Sequence, residues 1–417
     1  MAEKIILSNG LRLLLEYMPQ LHSASVGLWV DTGSAREDIS QWGVSHLLEH
    51  MLFKGTPGRT SLQLSAAMDD VGGVLNAFTA KEQTCYYTKS LDEYFELSLD
   101  LLSDMACRSL IDGGELERER QVVTEEINMY EDTPDELVLD LFNSTLWPQH
   151  SYGRSISGTV DSVAALSREE VAAYWRSRYT TANTVLAVAG NITPERAREQ
   201  AEKYFSALSA AADGLPPLTE PITRAGQAFI QKDIEQNHIC MGFPGLSLSD
   251  PDYYAAAIMC NLFGGSASAR LFQEIREKRG LAYSAFSHLD CLNRGGCFLA
   301  YASTQPEKTR ELVQVMADEF ARLAAEGLAN ADIERSKQQL KGSMLLSLES
   351  TSSFMNKLGK IQLSLGRVYD PGDTVAKLMA VTPEDVQRVI RRLVRPGAMT
   401  LAQVGPADCG LTVKELF

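Results

Sequence analysis

His46, Glu49 and His50 are the residues of this chain whose types and spacing suit chemistry. They lie in Ser45-His46-Leu47-Leu48-Glu49-His50, between two turn-like stretches, Asp31-Thr32-Gly33-Ser34 and Lys54-Gly55-Thr56-Pro57. Val44, Leu47, Leu48, Met51 and Leu52 recur at helical spacing and predict a short, largely buried helix over residues 42–53. Gly55 and Pro57 supply its stop. Positions i, i+3 and i+4 of a helix share a face, so His46, Glu49 and His50 point the same way. Two imidazoles one turn apart can hold one zinc ion, with the carboxylate beside it.

A chance polar face, partly solvated, would carry the same three residues. Two features favour a metal. The chain has only 6 histidines, and two of them sit here. The helix is otherwise apolar, so an unpaired polar cluster on it would be costly. The pattern is the inverted form of the H-E-x-x-H metalloprotease signature. A catalytic zinc takes three protein ligands and leaves the fourth position open. The acidic segment Glu115–Ile127 offers candidates for the third, among them Glu119 and Glu126, seven apart and on nearly one helical face. Spacing alone does not choose between them.

The elements that must position these residues follow from the rest of the chain. At 417 residues it is too long for one ordinary core. Residues 4–17 read as a hairpin around Asn9-Gly10, and 24–31 as a strand feeding the helix of the motif. A helix at 60–71, strands at 74–79 and 84–90, and helices at 92–109, 113–131, 134–146 and 167–177 follow. A buried strand at 184–190 and a helix at 193–208 close the half. Residues 209–223 have linker composition. The second half repeats the plan: strands at 226–231 and 237–243, helices at 250–263 and 268–278, strands at 282–289 and 296–304, helices at 306–326, 330–347, 351–365 and 382–393, and a strand at 398–404. Gly73–Thr79 compares with Gly280–Ser287, which points to an internal duplication. The second copy has no His-x-x-Glu-His. The expected class is α+β: two homologous domains, 1–208 and 224–417, each an antiparallel sheet packed with helices and joined by the linker at 209–223.

A net charge of −15 argues against nucleic acid as a partner and permits an acidic cavity for basic peptides. No run of residues is long and apolar enough for a membrane span, and the start enters a strand-like segment directly, so a cytoplasmic prokaryotic protein is expected. The 7 cysteines contain no Cys-x-x-Cys and read as reduced and buried.

His46-x-x-Glu49-His50 with Glu126 resembles the pitrilysin family of zinc peptidases, closest to the branch of the mitochondrial processing peptidase and its bacterial two-domain relatives. Gly-Ser-Ala-Arg-Glu at 33–37, Leu75–Thr79, Glu119-Arg120, Glu125-Glu126-Ile127 and Gly153 to Gly158 extend that likeness over nearly the whole chain. The resemblance implies one Zn2+ per chain, with His46, His50 and Glu126 as ligands, Glu49 as general base, and Glu119 as a carboxylate supporting the site. It implies that Arg276 and Tyr283, in the second half, serve the active site as donors to the oxyanion. It also implies that the strand carrying Asn76, Ala77 and Phe78 pairs with the substrate backbone. From the residues alone, Arg276 reads as a solvated helix residue and Tyr283 as half-buried in a strand. The stretch Gly264–Arg270 is shorter than the glycine-rich loop of the non-catalytic subunit of the mitochondrial enzyme, so the chain resembles the catalytic partner or a self-sufficient homologue.

The implied activity is zinc-dependent endopeptidase action on extended peptides or unfolded segments. They would enter a chamber closed by a homodimer or by a heterodimer with a homologous subunit. Two alternatives stand beside it: a non-catalytic assembly subunit of the same fold, and a catalytic subunit that needs a separate partner chain.

Overall fold

The computed structural model describes residues 2–210, 215 and 217–416. Residues 211–214 and 216 of the expected linker lie outside them. The chain forms two compact units, one of Met1–Ile127, Ser155–Pro217 and Leu345–Asp370, the other of Asn128–Arg154, Leu218–Met344 and Pro371–Phe417. No helix among the described residues is long and apolar enough to cross a membrane.

The first unit is built on a six-stranded sheet of β1 (Glu3–Ile6), β2 (Arg12–Tyr17), β3 (Ser23–Val30), β4 (Val74–Thr79), β5 (Thr84–Leu91) and β6 (Thr184–Gly190), in the order β1-β2-β6-β3-β5-β4. β6 is buried at every position because both faces of the sheet are covered. Leu186 and Val188 join the larger core with Val26 and Leu28 of β3. The intervening Val185, Ala187 and Ala189 join Trp29, Met355 and Leu358 on the opposite face. This is period-2 alternation serving two cores. The second core is roofed by the helix Thr351–Leu365, which packs on β3 and β6. Its approach is close: a Cβ at Gly359 would lie 2.3 Å from the indole of Trp29, whose Nε1 donates to Met355 Sδ at 3.3 Å.

The second unit carries β7 (Gly226–Gln231), β8 (Asn237–Pro244), β9 (Ala285–Cys291), β10 (Gly296–Thr304) and β11 (Thr400–Gly405), in the order β7-β11-β8-β10-β9. This matches β2-β6-β3-β5-β4 strand for strand, so the duplication read from the sequence is present in the topology. Each sheet is antiparallel except for one pair: β2 runs parallel to β6, and β7 parallel to β11.

A division at residues 209–223 separates the two sheets but not the helices on them. The helix Pro134–Leu146 belongs in chain order to the first half and packs on β8 and β11 of the second unit. The helix Thr351–Leu365 belongs to the second half and packs on the equivalent β3 and β6 of the first. The exchange is symmetrical, as a duplication would make it.

Local differences from the expected elements have local causes. The expected helix at 268–278 is a short α-turn, Arg270–Phe272, running into a π-turn, Gln273–Glu277. Gly280 then adopts φ +57°, and Leu281 N donates back to Ile275 O at 2.9 Å. That turn delays the next strand to Ala285, so Tyr283 lies in a loop, 80% exposed, and not in a strand. Short helices at Val160–Ala165, Pro371–Ala380 and Val413–Leu416 were not legible as separate periodic runs.

Candidate metal centre

The helix Val44–Leu52 starts at Gly43, whose φ of 93° is open to glycine and strained for other residues. The buried carboxylate of Glu37 caps it, accepting from Gly43 N and Ser45 N at 2.8 Å each. A carboxylate at that end also suits the helix dipole. Val44, Leu47, Leu48, Met51 and Leu52 are fully buried in the first core and fix the helix's rotation. His46, Glu49 and His50 consequently share the remaining face.

The helix Gly113–Glu131 is held in the same way by Leu116, Val123 and Ile127. It turns Glu119 and Glu126 to the histidines. Glu126 Oε2 lies 3.6 Å from His46 Nε2 and 3.4 Å from His50 Nε2. One donor atom from each of the three residues falls within 4.8 Å of the others. Ligands about 2.1 Å from a tetrahedral zinc stand roughly 3.4 Å apart, so this spacing fits that ion. The donor set of two imidazoles and a carboxylate also fits zinc.

The electrostatics of the two histidines differ. Burial, helped by the proximity of His50, lowers His46 to about 4, against the pull of Glu126. His46 is therefore neutral at pH 7, the form a metal would require, and its Nδ1 is buried with no hydrogen-bond partner among the described residues. Burial also disfavours charge on His50, but the carboxylates of Glu126 and Glu119 together raise it above the ordinary value. His50 Nδ1 donates to Glu119 Oε2 at 3.1 Å, which aims Nε2 at Glu126. Glu119 Oε1 is in turn held by Lys54 Nζ at 2.7 Å. Glu49 is raised by burial, an effect opposed by the hydrogen bond its Oε2 accepts from Thr79 Oγ1 at 2.5 Å. Burial thus makes Glu49 a better proton acceptor than a free carboxylate.

Glu37, Lys54 and Thr79 were not singled out by the sequence. Lys54 had a signal, since it follows His50 by four residues. Glu37 and Thr79 end two of the stretches that carry the family likeness, but their contacts depend on tertiary approach and had no signal in the spacing.

The remaining candidates fall into two groups. Asn76, Ala77 and Phe78 lie on β4, the edge strand of the first sheet. Phe78 packs edge-on against Trp29, with ring centroids 5.5 Å apart. Arg276 and Tyr283 belong to the second unit, where the guanidinium lies 4.4 Å from the Tyr283 ring centre and 4.9 Å from that of Phe272.

Removing the charge of Glu119 tests the orienting contact. Glu119→Gln is expected to weaken zinc binding about 10- to 100-fold, measured by competition with a chromogenic chelator. Unchanged affinity would show that His50 is held by packing alone.

Comparison with known proteins agrees with this architecture. A family model described as "Insulinase (Peptidase family M16)" matches residues 12–160, and one described as "Peptidase M16 inactive domain" matches residues 165–340. An uncharacterized zinc protease of Bacillus subtilis, YmxG, is 39% identical over 398 residues, covering 94% of this chain and 96% of its own. An uncharacterized zinc protease of Streptomyces coelicolor is 38% identical over 412 residues, covering 96% of this chain and 88% of its own. Among solved structures, a protease from Helicobacter pylori superposes with a TM-score of 0.91 at 22% identity, over 97% of this chain and 99% of that one. A peptidase M16 inactive domain protein from Pseudomonas fluorescens gives a TM-score of 0.90 at 21% identity, over 98% of each chain. At those identities the solved structures speak for the fold, while the family models and the bacterial relatives speak for descent. Peptidase family M16, the pitrilysin-type group that the inverted motif resembles, is the family to which this chain belongs.

Proposed function

We propose that the protein is a zinc-dependent endopeptidase acting on extended peptides or unfolded segments. The convergence of His46, His50 and Glu126 within 4.8 Å, with Glu49 on the same helical face, carries this reading. Two curated relatives covering nearly the whole chain bear the name zinc protease.

A zinc ion held by those three residues would supply Lewis acidity and lower the pKa of water at the site towards ~7. Glu49 takes the proton as water attacks the scissile carbonyl, then delivers it to the leaving amine. Thr79 holds one oxygen of Glu49 and leaves the other for this transfer. Thr79 ends the edge strand β4, so one contact ties the base to the strand proposed to pair with the substrate backbone. Exposed N–H and C=O groups along such an edge bind any extended chain, with pockets setting side-chain preference. Arg276 and Tyr283 are proposed to stabilise the oxyanion. We place the action in a chamber formed by a homodimer or by pairing with a homologous subunit, in a prokaryotic cytoplasm. The inactive-domain model matches residues 165–340, while His-x-x-Glu-His lies in the stretch 12–160 matched by the other model, which supports the first unit as the one that holds the metal.

Exhaustive chelation and zinc add-back test the reading. Cleavage of an unstructured fluorogenic peptide is expected to vanish on chelation and to return with about one zinc per chain. Cleavage that persists in fully metal-free protein overturns it.

A further inference from the structure

The two sheets correspond strand for strand but differ at one edge. In the first unit the outer edge of β2 is closed by β1, paired from Ile6 with Arg12 to Glu3 with Leu15. In the second unit β7 holds the place of β2, and no strand lies beyond it among the described residues. The correspondence extends to register. Tyr17 faces Gly190 as Gln231 faces Gly405, and the next residues, Met18 and Lys232, donate to those glycine carbonyls at 2.8 and 2.9 Å. Residues 226–229 therefore stand where residues 12–15 stand, without the strand that covers them.

The parallel ladder shows which groups of β7 are open. Gly226 N donates to Met399 O at 3.3 Å, Lys232 N donates to Gly405 O, and Arg224 O accepts from Thr400 Oγ1 at 3.3 Å. Even-numbered residues thus turn their backbone groups to β11, and Gln227, Phe229 and Gln231 turn theirs outward. Those outward groups have no hydrogen-bond partner among the described residues. The strand reads Gly-Gln-Ala-Phe-Ile-Gln, with no charged residue and no proline, the usual guards of an open edge. Such an edge is a template for an added strand.

Two features point to a second copy of this chain as the occupant. The outward residues are spaced symmetrically about Phe229. Antiparallel pairing about a two-fold axis there sets Gln227 against the other copy's Gln231, uses every open group of both strands, and closes both edges at once. The charges at the two ends of the strand are also opposite: Arg224 precedes it, Asp233 and Glu235 follow it, and all are exposed. The antiparallel register brings Arg224 of each copy beside the acidic segment of the other, whereas a parallel one would set like ends together. We infer that the outer edge of β7 is a self-association surface that joins two copies through one continuous sheet. The inference makes no use of the metal centre and is independent of the peptidase reading.

Sedimentation and amide hydrogen exchange of the full-length protein test it, from about 1 to about 100 μM, the range suited to a small interface. Association is expected to rise with concentration, and exchange across residues 226–231 to slow about tenfold as it does, because the outward amides gain partners. Arg224→Glu should raise the Kd of this association about tenfold, since the substitution acts at both ends of a two-fold interface. Adding Asp233→Arg and Glu235→Arg to that variant should restore the wild-type Kd. Gln231→Pro, which removes an outward N–H and leaves the bonds to β11 in place, should abolish the association. A monomer throughout this range, an association that leaves exchange over 226–231 unchanged, or a charge swap without rescue overturns the inference. Protection that appears only when an unstructured peptide is added gives the edge to a different occupant and overturns it as well.

Discussion

Glu49→Gln should retain one zinc per chain and lose peptide cleavage by about 10²- to 10⁴-fold in kcat, the range for removing a positioned general base. The substitution keeps the side chain's shape and its capacity to accept from Thr79 Oγ1. It removes only the ability to take a proton. The His46, His50 and Glu126 donor atoms do not include this residue, so metal content serves as an internal control. Loss in kcat with KM little changed is the expected pattern, because the proton transfer belongs to the transition state. Full cleavage by a zinc-loaded variant would take Glu49 out of the chemistry. Loss of zinc along with activity would instead make it part of the metal's support.

His46→Ala should abolish stable zinc binding, and with it activity. Three protein donors make the site, and two remaining ones cannot hold a catalytic zinc at ordinary free-metal levels. The folded apo-protein should survive, since Val44, Leu47, Leu48, Met51 and Leu52 anchor the helix and His46 Nδ1 makes no hydrogen bond among the described residues. The check is thermal unfolding with and without zinc. Wild-type Tm should rise with zinc, because a ligand bound only to the folded state stabilises it by mass action, and the variant's should not. A zinc-dependent shift that persists in the variant would place the metal elsewhere.

The same titration has a pH dependence whose sign follows from His50. Its imidazole must be neutral to bind metal, and the Glu126 and Glu119 carboxylates raise its pKa above 6.5. Protons therefore compete with zinc, and affinity should fall as pH drops through the raised pKa of His50. His46, lowered to about 4, adds no competition there.

Periodicity along the chain specified the local pieces. Helical spacing of Val44 to Leu52 put two imidazoles and a carboxylate on one face, because the 3.6-residue period depends only on neighbours in the chain. The same holds for the alternation in β4 and for the apolar run of β6. The repeated order of elements announced the duplication, and the family resemblance singled out Glu126 from an acidic helix. Tertiary structure decided what periodicity cannot encode. It brought Glu126 within 3.4 Å of His50, linked Lys54 through Glu119 to the His50 ring, and set Thr79 on Glu49. It also exchanged the helices Pro134–Leu146 and Thr351–Leu365 between the sheets and placed β2 parallel to β6. An apolar helix face specifies that it must be covered, but not by which surface. That choice belongs to the shape of both cores at once, as with Gly359 against Trp29.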